Sequence, residues 1–430
     1  MQKISIKRGK GEFHLLSGAS EKKYIAEGLE FNLEREGGNF GLSAGGFVIS
    51  GRGIEGGFAF SGKVNGGFIP FEGRFSTEGR LLALAARHFI KNILVFDDSA
   101  YRLHVDFSGE PDAPAFKGDL EFRNAGLFFT KLCLPPLEGL SGEMRFSGEL
   151  GREGGVFQFD LEEFRLKDAL FTAGVVVRET GRKPVLDVVF SVPKQSCQSL
   201  IESIPPVMIP RLEGIELDGT IDLNFNLHLN FKEIQKTNFE IEGNFDECRA
   251  VSLGRMIDVE KLNRKFVHSI YTDEKTDRIK VGPATGDFIP LGEIPEPVWQ
   301  AALATEDMGF FKHKGFKLGL IKRAIKLDLE KGWFVYGGST ISQQLVKNLF
   351  LSREKTIARK LEEAIITWEM ERSVEKERIL ELYLNCIEFG TKVFGIKKAA
   401  QVYFNKLPSE LTPLEAAFIM AAKPDPRYAP

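Results

Sequence analysis

The first 250 residues alternate between apolar and polar side chains in short segments that are bounded by glycine. Residues 46–51, 56–62, 142–148 and 219–230 show this alternation most clearly. Successive side chains of a β-strand point to opposite faces, so a period of two between glycine turns predicts half-buried antiparallel strands. The segments recur without a fixed spacing, which argues against a strict solenoid. We therefore expect a β-rich domain over residues 1–250.

The rest of the chain has a different pattern. From about residue 290 glycines become rarer and apolar residues recur with the period of a helix. Seven helices are predicted, at 297–308, 316–331, 340–350, 355–373, 375–386, 394–404 and 412–422. The pattern assigns no element to residues 251–289, which we interpret as a transition or linker. The predicted fold class is therefore multidomain α and β, with an antiparallel β-rich domain followed by an all-α domain at 290–430, as the length of 430 residues allows.

Charge and hydropathy argue against some functions. The formal net charge of −3 gives no general reason to expect a nucleic-acid partner. No apolar run reaches the roughly 18 residues that a transmembrane helix needs, so no membrane anchor is visible in the sequence. The first nine residues contain no apolar core, and a signal peptide is not expected there.

The four cysteines are spread along the chain and form no C-x-x-C pair, so a zinc site is not expected. Cys197 and Cys248 lie in the same region and could form a disulfide in an oxidising compartment. The alternative is that both are buried free thiols, because spacing in the sequence does not fix their geometry.

Residues 336–350 combine a glycine turn, a helix start and a row of polar side chains. Gly337 and Gly338 can adopt backbone angles that other residues resist, and Thr340 with Gln343 fits a capping box. A helix N-terminus with Lys347 about two turns further on favours a phosphate or another anion. The spacing of a nucleotide P-loop is absent.

Two further segments carry acidic side chains that could take part in catalysis. Glu306 and Asp307 are adjacent, and aromatic residues and His313 follow them. They could supply a general acid or base, or they could simply end a helix beside a hydrogen-bonded histidine. Arg359 and Glu363 lie one turn apart on a predicted helix. They could line a cleft, or they could form a solvated ion pair of little energetic value.

The predicted helix at 375–386 carries Tyr383 and Asn385 close to its end. These side chains could fix neighbouring loops by hydrogen bonds. The alternative is an ordinary amphipathic helix that packs through its apolar face.

Taken together and in order, these segments resemble the peptidoglycan glycosyltransferase domain (glycosyltransferase family 51) of monofunctional transglycosylases and class A penicillin-binding proteins. The matching motifs are E-D-x-x-F-x-x-H-x-G at 306–315, G-G-S-T-I-x-Q-Q at 337–344, R-K-x-x-E at 359–363 and R-x-x-x-K-x-x-I-L-E-x-Y-L-N at 372–385. The resemblance covers residues 290–430. Family members usually continue with at least one more helix, so we expect a C-terminal truncation. Residues 1–250 loosely resemble AsmA-like proteins of the bacterial envelope in their general sequence pattern, without a shared motif.

The resemblance implies a lysozyme-like helical fold and an inverting glycosyl transfer. Lipid II would be polymerised into β-1,4 glycan strands, with release of undecaprenyl pyrophosphate. Glu306 would be the general base. Glu363 would be the second catalytic carboxylate, assisting the pyrophosphate or holding a divalent metal such as Mg or Mn. No organic cofactor is implied.

The resemblance also implies a set of substrate-binding residues. Lys347, Arg353, Arg359 and Lys360 would supply positive charge for the pyrophosphate and the donor. The remaining positions would shape or support the cleft: Asp307, Phe310, His313, Gly338, Ser339, Thr340, Gln343, Gln344 and Asn348.

The partners implied are lipid II, the growing glycan strand, the inner-membrane surface and a separate transpeptidase. The implied location is the periplasmic face of the inner membrane in a bacterial envelope. One alternative function is a non-catalytic envelope scaffold, or a lipid-binding protein with a glycosyltransferase-like module. A lysozyme-like lytic enzyme is less expected, because lysis does not require the arginine and lysine cluster.

Overall fold

The computed structural model describes the chain apart from several short stretches. These are residues 1–2, 18–19, 37–38, 51–52, 66–70, 81, 84–85, 87–91, 111–112, 152–154, 180–182, 245–246, 272–275, 284, 287, 332–337, 353 and 423–430. The chain forms two compact units. The sheet unit contains Met1–Val207 and Asp218–Cys248, and the C-terminal unit contains Met208–Leu217 and Arg249–Pro430. Neither unit is therefore continuous in sequence.

The sheet unit is built on one antiparallel sheet of 13 strands, in the order β1 to β11, then β13 and β14. Nearly every strand pairs with the strand that follows it in the chain, so the connections are local. The strands are β1 Lys3–Ser17, β2 Ser20–Glu36, β3 Asn39–Ser50, β4 Gly53–Asn65, β5 Phe71–Gly79, β6 Ile93–Glu110, β7 Ala113–Leu127, β8 Leu137–Leu150, β9 Phe157–Leu166, β10 Ala169–Arg178, β11 Val185–Ser196, β13 Thr220–Asn230 and β14 Asn238–Asn244.

The two faces of this sheet differ in chemistry. On one face phenylalanine rings meet across neighbouring strands, as in Phe164 and Phe171, whose ring centroids lie 5.9 Å apart. On the other face opposite charges pair across strands, as in Arg102 and Glu121 at 2.8 Å. The alternation in the sequence therefore separates an aromatic face from a charged one.

Glycines inside the strands make room for these rings. A Cβ added to Gly118 would lie 2.9 Å from the ring of Phe146, and one added to Gly142 would lie 3.0 Å from the ring of Phe122. Both glycines sit opposite the phenylalanine concerned on the neighbouring strand. The packing of phenylalanine rings over glycines on the neighbouring strand thus explains part of the high content of both residues, 44 glycines and 37 phenylalanines in the chain.

A short helix, α1 (Cys197–Ser203), follows β11. Ser196 caps it by accepting hydrogen bonds from the backbone N–H groups of Gln198 and Ser199. Cys197, at the start of the helix, forms a disulfide with Cys248, and their Cα atoms lie 6.1 Å apart. The sequence allowed either a disulfide or two buried free thiols, and the structure contains the disulfide.

The C-terminal unit contains seven helices among its described residues. They are α2 Glu296–Glu306, α3 Leu318–Lys331, α4 Ile341–Phe350, α5 Ile357–Ser373, α6 Lys376–Cys386, α7 Ile396–Phe404 and α8 Pro413–Ala422. Helix α4 packs against α5 and α6, and α2 packs against α8. Leu345, Ile366 and Leu380 form part of the fully buried core between these helices. None of the described helices is long and apolar enough to cross a membrane.

The predicted fold class is wrong, because two short strands lie within residues 290–430, the region predicted to be all-α. The C-terminal unit as a whole is not all helical. It also contains three two-stranded sheets, which pair β12 (Ile215–Asp218) with β15 (Arg249–Leu253), β16 (Phe266–Tyr271) with β17 (Thr276–Val281), and β18 (Glu388–Gly390) with β19 (Val393–Phe394). Over the described residues of the whole chain, strand exceeds helix. These strands are only two to six residues long, too short to show a reliable period of two.

The segment Met208–Leu217 joins the C-terminal unit through helix α5. The backbone N–H of Arg211 donates to Glu362 Oε1 at 2.7 Å, and Glu362 is buried. Burial raises the pKa of Glu362, while the hydrogen bond from Arg211 and the charges of Arg211 and Arg359 act in the opposite direction. Leu212 is also fully buried, so the segment is an integral part of the helical core.

Candidate functional site

The site begins where helix α2 ends. Prolines at 295 and 297 favour the start of α2, and Glu306 is its last residue. Asp307 leaves the helix and is buried, with its Oδ2 atom 2.8 Å from His313 Nε2 and 3.4 Å from the backbone N–H of Ile341. Asp307 therefore ties the end of α2 to the start of α4 and holds Glu306 at this junction.

Helix α4 starts with the predicted capping box, which is confirmed. The Thr340 hydroxyl accepts from the backbone N–H of Gln343 at 3.3 Å, and Gln343 Oε1 accepts from the backbone N–H of Thr340 at 3.1 Å. The same hydroxyl donates to the carbonyl oxygen of Gly315 at 2.6 Å. Gly338 lies so close to α3 that an added Cβ would be 2.9 Å from the Cα atom of Ile321. The start of α4 is therefore fixed from both sides.

Replacing Thr340 with valine should lower the free energy of unfolding of the C-terminal unit by about 1–2 kcal/mol, because the cap and the bond to Gly315 are both lost. Thr340→Ser keeps the hydroxyl and is the matched control, with a much smaller loss expected. The three tryptophans of the chain, at positions 299, 333 and 368, all fall within the sequence range of this unit. Denaturant unfolding followed by tryptophan fluorescence therefore reports the effect directly. Equal loss in both variants would contradict the role of the hydroxyl.

Gln344, one turn into α4, contacts Glu306 directly. Its Nε2 group donates to Glu306 Oε2 at 2.8 Å and lies 3.3 Å from the carbonyl oxygen of Ser339. Its Oε1 atom accepts from the hydroxyl of Tyr383 at 3.3 Å. Glu306 is thus an acceptor held by a side-chain amide at a half-buried position.

The second carboxylate lies on helix α5, whose start is capped by Thr356. Glu363 is buried and accepts hydrogen bonds from Arg359 and, at 2.5 Å, from Lys360 Nζ. Lys360 Nζ also donates to the Ser339 hydroxyl at 2.8 Å. The pair Arg359 and Glu363 is therefore a largely buried ion pair, unlike the solvated pair considered as its alternative.

Together these contacts form one continuous series of hydrogen-bonding residues, which we call the polar chain: Glu306, Gln344, Ser339, Lys360 and Glu363. The two carboxylates that the sequence singled out lie at its ends. The structure therefore brings the motifs at 306–315, 337–344 and 359–363 into a single site.

The predicted site residues differ in depth. Ser339, Gln344 and Asn348 are half-buried, Lys347 is exposed, and the Lys360 side chain is about half exposed, so these can line a cleft. Asp307, Phe310, Thr340 and Gln343 are buried beneath them. The ring of Phe310 lies edge-on to those of Phe311 and His313. The buried residues support the site rather than line it, and Arg353 lies outside the described residues.

One supporting group was not identified from the sequence. The side chain of Glu371 on α5 is only 3% exposed, and it accepts hydrogen bonds from Ser342 and, at 2.8 Å, from Lys376 Nζ. Lys376 in turn lies 4.2 Å from the centre of the Phe310 ring. Lys376 belongs to the motif at 372–385, and the motif is the feature of the sequence that could have indicated its role. Glu371 immediately precedes the motif, and nothing in the sequence indicates its role.

A divalent metal on Glu363 does not fit this arrangement. Both carboxylate oxygens of Glu363 already accept from cationic side chains, Arg359 and Lys360. Over the part of the chain that the structure describes, no group of three or more histidine, cysteine, aspartate or glutamate side chains could hold a metal ion. The positive charge at this position comes from the protein itself.

Comparison with known proteins agrees with this geometry. Residues 274–430 match the family model described as Transglycosylase. The C-terminal region is a transglycosylase-family domain.

Three relatives carry the name biosynthetic peptidoglycan transglycosylase. The one from Acinetobacter baumannii is 43% identical over 146 residues, which is 34% of this chain and 65% of the relative. The one from Nitrosospira multiformis is 46% identical over 141 residues, 33% of this chain and 61% of the relative. The one from Chromobacterium violaceum is 48% identical over 141 residues, 33% of this chain and 62% of the relative. The chain thus spans less than two thirds of the length of each of these relatives.

The resemblance of residues 1–250 to AsmA-like proteins stays a prediction.

Proposed function

We propose that this protein is a peptidoglycan glycosyltransferase that polymerises lipid II into β-1,4 glycan strands and releases undecaprenyl pyrophosphate. The observation that carries the proposal is the polar chain, which joins Glu306 to Glu363 inside a transglycosylase-family domain. The names of the relatives support the same class of reaction.

Glu306 is the proposed general base. Its carboxylate would take the proton from the 4-hydroxyl of the acceptor GlcNAc as that oxygen attacks the anomeric carbon of the donor. The bond from that carbon to the lipid pyrophosphate breaks at the same time, and the configuration changes from α to β. Gln344 donates to Glu306 at 2.8 Å and so holds the carboxylate in one position.

Arg359 and Lys360 are the proposed stabilisers of the leaving pyrophosphate. Both lie in the first turn of α5, where the helix N-terminus adds partial positive charge. Glu363 neutralises only part of their charge, so one net positive charge remains. Cations held in position before the reaction stabilise a departing anion more than mobile ones do. No step requires a metal ion.

The proposed location is the cell envelope, on the periplasmic face of the inner membrane, because the lipid substrate would be presented there. The disulfide between Cys197 and Cys248 supports an oxidising compartment. A separate transpeptidase is the proposed partner for cross-linking the glycan strands. For the sheet unit we propose a structural or partner-binding role in the envelope.

The test is to incubate the protein with lipid II in detergent and to separate the products by length. Long glycan strands that a muramidase digests to disaccharide units are the expected result, in Mg²⁺ and equally in EDTA. A protein-free reaction is the control. Lipid II binding without strand growth would instead support a non-catalytic scaffold. Breakdown of purified peptidoglycan would support a lytic enzyme.

A further inference from the structure

Tyr383 is buried beside Gln344, a member of the polar chain. It lies on helix α6, is 0% exposed, and is among the largest fully buried side chains of the protein. Its hydroxyl lies 3.3 Å from Gln344 Oε1. On the opposite side of the same carboxamide, Gln344 Nε2 donates to Glu306 Oε2 at 2.8 Å and lies 3.3 Å from the Ser339 carbonyl oxygen.

A carboxamide has one accepting end and one donating end, so fixing one end fixes the other. With a hydroxyl donating to Oε1, the NH2 group of Gln344 points toward Glu306. The reversed amide would place its oxygen against the Glu306 carboxylate, so that two acceptors would face each other. The Glu306 carboxylate and the Ser339 carbonyl can only accept, and the Tyr383 hydroxyl stabilises the amide orientation that they require by donating to its other end.

The hydroxyl can act in this way only while it keeps its proton. Burial raises the pKa of Tyr383 well above its ordinary value, and the negative charges of Glu306 and Asp307 raise it further. The phenol therefore remains protonated wherever the protein is folded and active, and it supplies a permanent donor to Gln344.

We propose that Tyr383 is a positioning residue for glycosyl transfer: it locks the Gln344 amide so that this amide donates to Glu306. This inference rests on the proposed function of Glu306 as the base. In this proposal Tyr383 acts on Glu306 through Gln344 and does not take part in the proton transfer itself.

The experiment compares Tyr383→Phe with Tyr403→Phe. Both changes remove one buried or half-buried hydroxyl, but that of Tyr403 donates to the backbone carbonyl of Phe389 at 3.0 Å and does not contact the polar chain. For Tyr383→Phe we expect kcat to fall about 5- to 10-fold, the effect of one hydrogen bond, with KM within about 2-fold. For Tyr403→Phe we expect both constants to be unchanged.

A double-mutant cycle tests whether the effect passes through Gln344. In a Gln344→Ala background, Tyr383→Phe should lower kcat no further. An equal fall in both backgrounds would overturn the proposal, because Tyr383 would then act by another route. Unchanged kcat in Tyr383→Phe with a normal melting temperature would overturn it as well.

A readout independent of activity separates this inference from the proposed function. In protein labelled with ¹⁵N at glutamine, the side-chain NH2 signals of Gln344 are assigned by their absence in Gln344→Ala. They should shift in Tyr383→Phe and stay in place in Tyr403→Phe. A shift in protein that makes no glycan would leave the positioning contact supported and the function refuted. Signals that do not move would overturn the contact whatever the activity.

Discussion

Glu306→Gln is expected to lower kcat for glycan synthesis by about 10³-fold, within the range for loss of a general base. The carboxamide has nearly the shape of the carboxylate but cannot accept the proton of the acceptor hydroxyl. Since Gln344 could still contact the new side chain, the fold and KM should change little. Initial rates of lipid II polymerisation over a range of substrate concentrations measure both constants.

A matched control for this change is Glu410→Gln. Glu410 is exposed and accepts from the backbone N–H of Leu407 at 2.8 Å, an acceptor role that glutamine can keep. This variant should polymerise at the rate of the unchanged protein. If Glu306→Gln retained more than about a tenth of the rate, the general base would have to be another group.

The second large effect is expected for Glu363→Gln, with kcat about 10²-fold lower. Glutamine offers one acceptor where glutamate offers two, and its NH2 group would face a cation. Either Arg359 or Lys360 would therefore lose its fixed position. Because Glu363 and Arg359 are largely buried while Lys360 is about half exposed, we expect a loss of about 2–3 kcal/mol in the free energy of unfolding.

The neighbouring residue supplies the control for this second variant. Glu362 is also a buried glutamate on α5, but it accepts from the backbone N–H of Arg211 and holds no cationic side chain within the described contacts. Glu362→Gln can keep that hydrogen bond and should polymerise normally. Polymerisation assays and tryptophan fluorescence compare the two. Equal activity in both variants would show that Glu363 has no part in the reaction.

Features that depend on neighbours in sequence could be predicted. The capping box of Thr340 and Gln343 involves residues three apart, so the spacing alone indicates it, and helix α4 begins at the following residue. The pairing of Arg359 with Glu363 likewise follows from helical geometry. The sequence could not show that Arg359 and Glu363 are largely buried. Burial distinguishes this ion pair from a weak pair at the surface.

Features that depend on distant parts of the chain could not be predicted. β12 pairs with β15, and Arg211 contacts Glu362 across 151 residues. Neither the two strands nor the segment around Arg211 carries a periodic signal. A motif also does not reveal depth. Phe310 and Thr340 belong to the motifs but lie beneath the site, where they support residues that could touch a substrate.

The path of the chain between its two units also affects how the protein can be made. Met208–Leu217 belongs to the C-terminal unit, yet it is synthesised before the last strands of the sheet unit, β13 and β14. At about 5–20 residues per second, the ribosome needs roughly 8–30 s to travel the 151 residues from Arg211 to Glu362. During that interval the backbone N–H of Arg211 lacks its partner Glu362. The two units therefore cannot be completed strictly one after the other during synthesis.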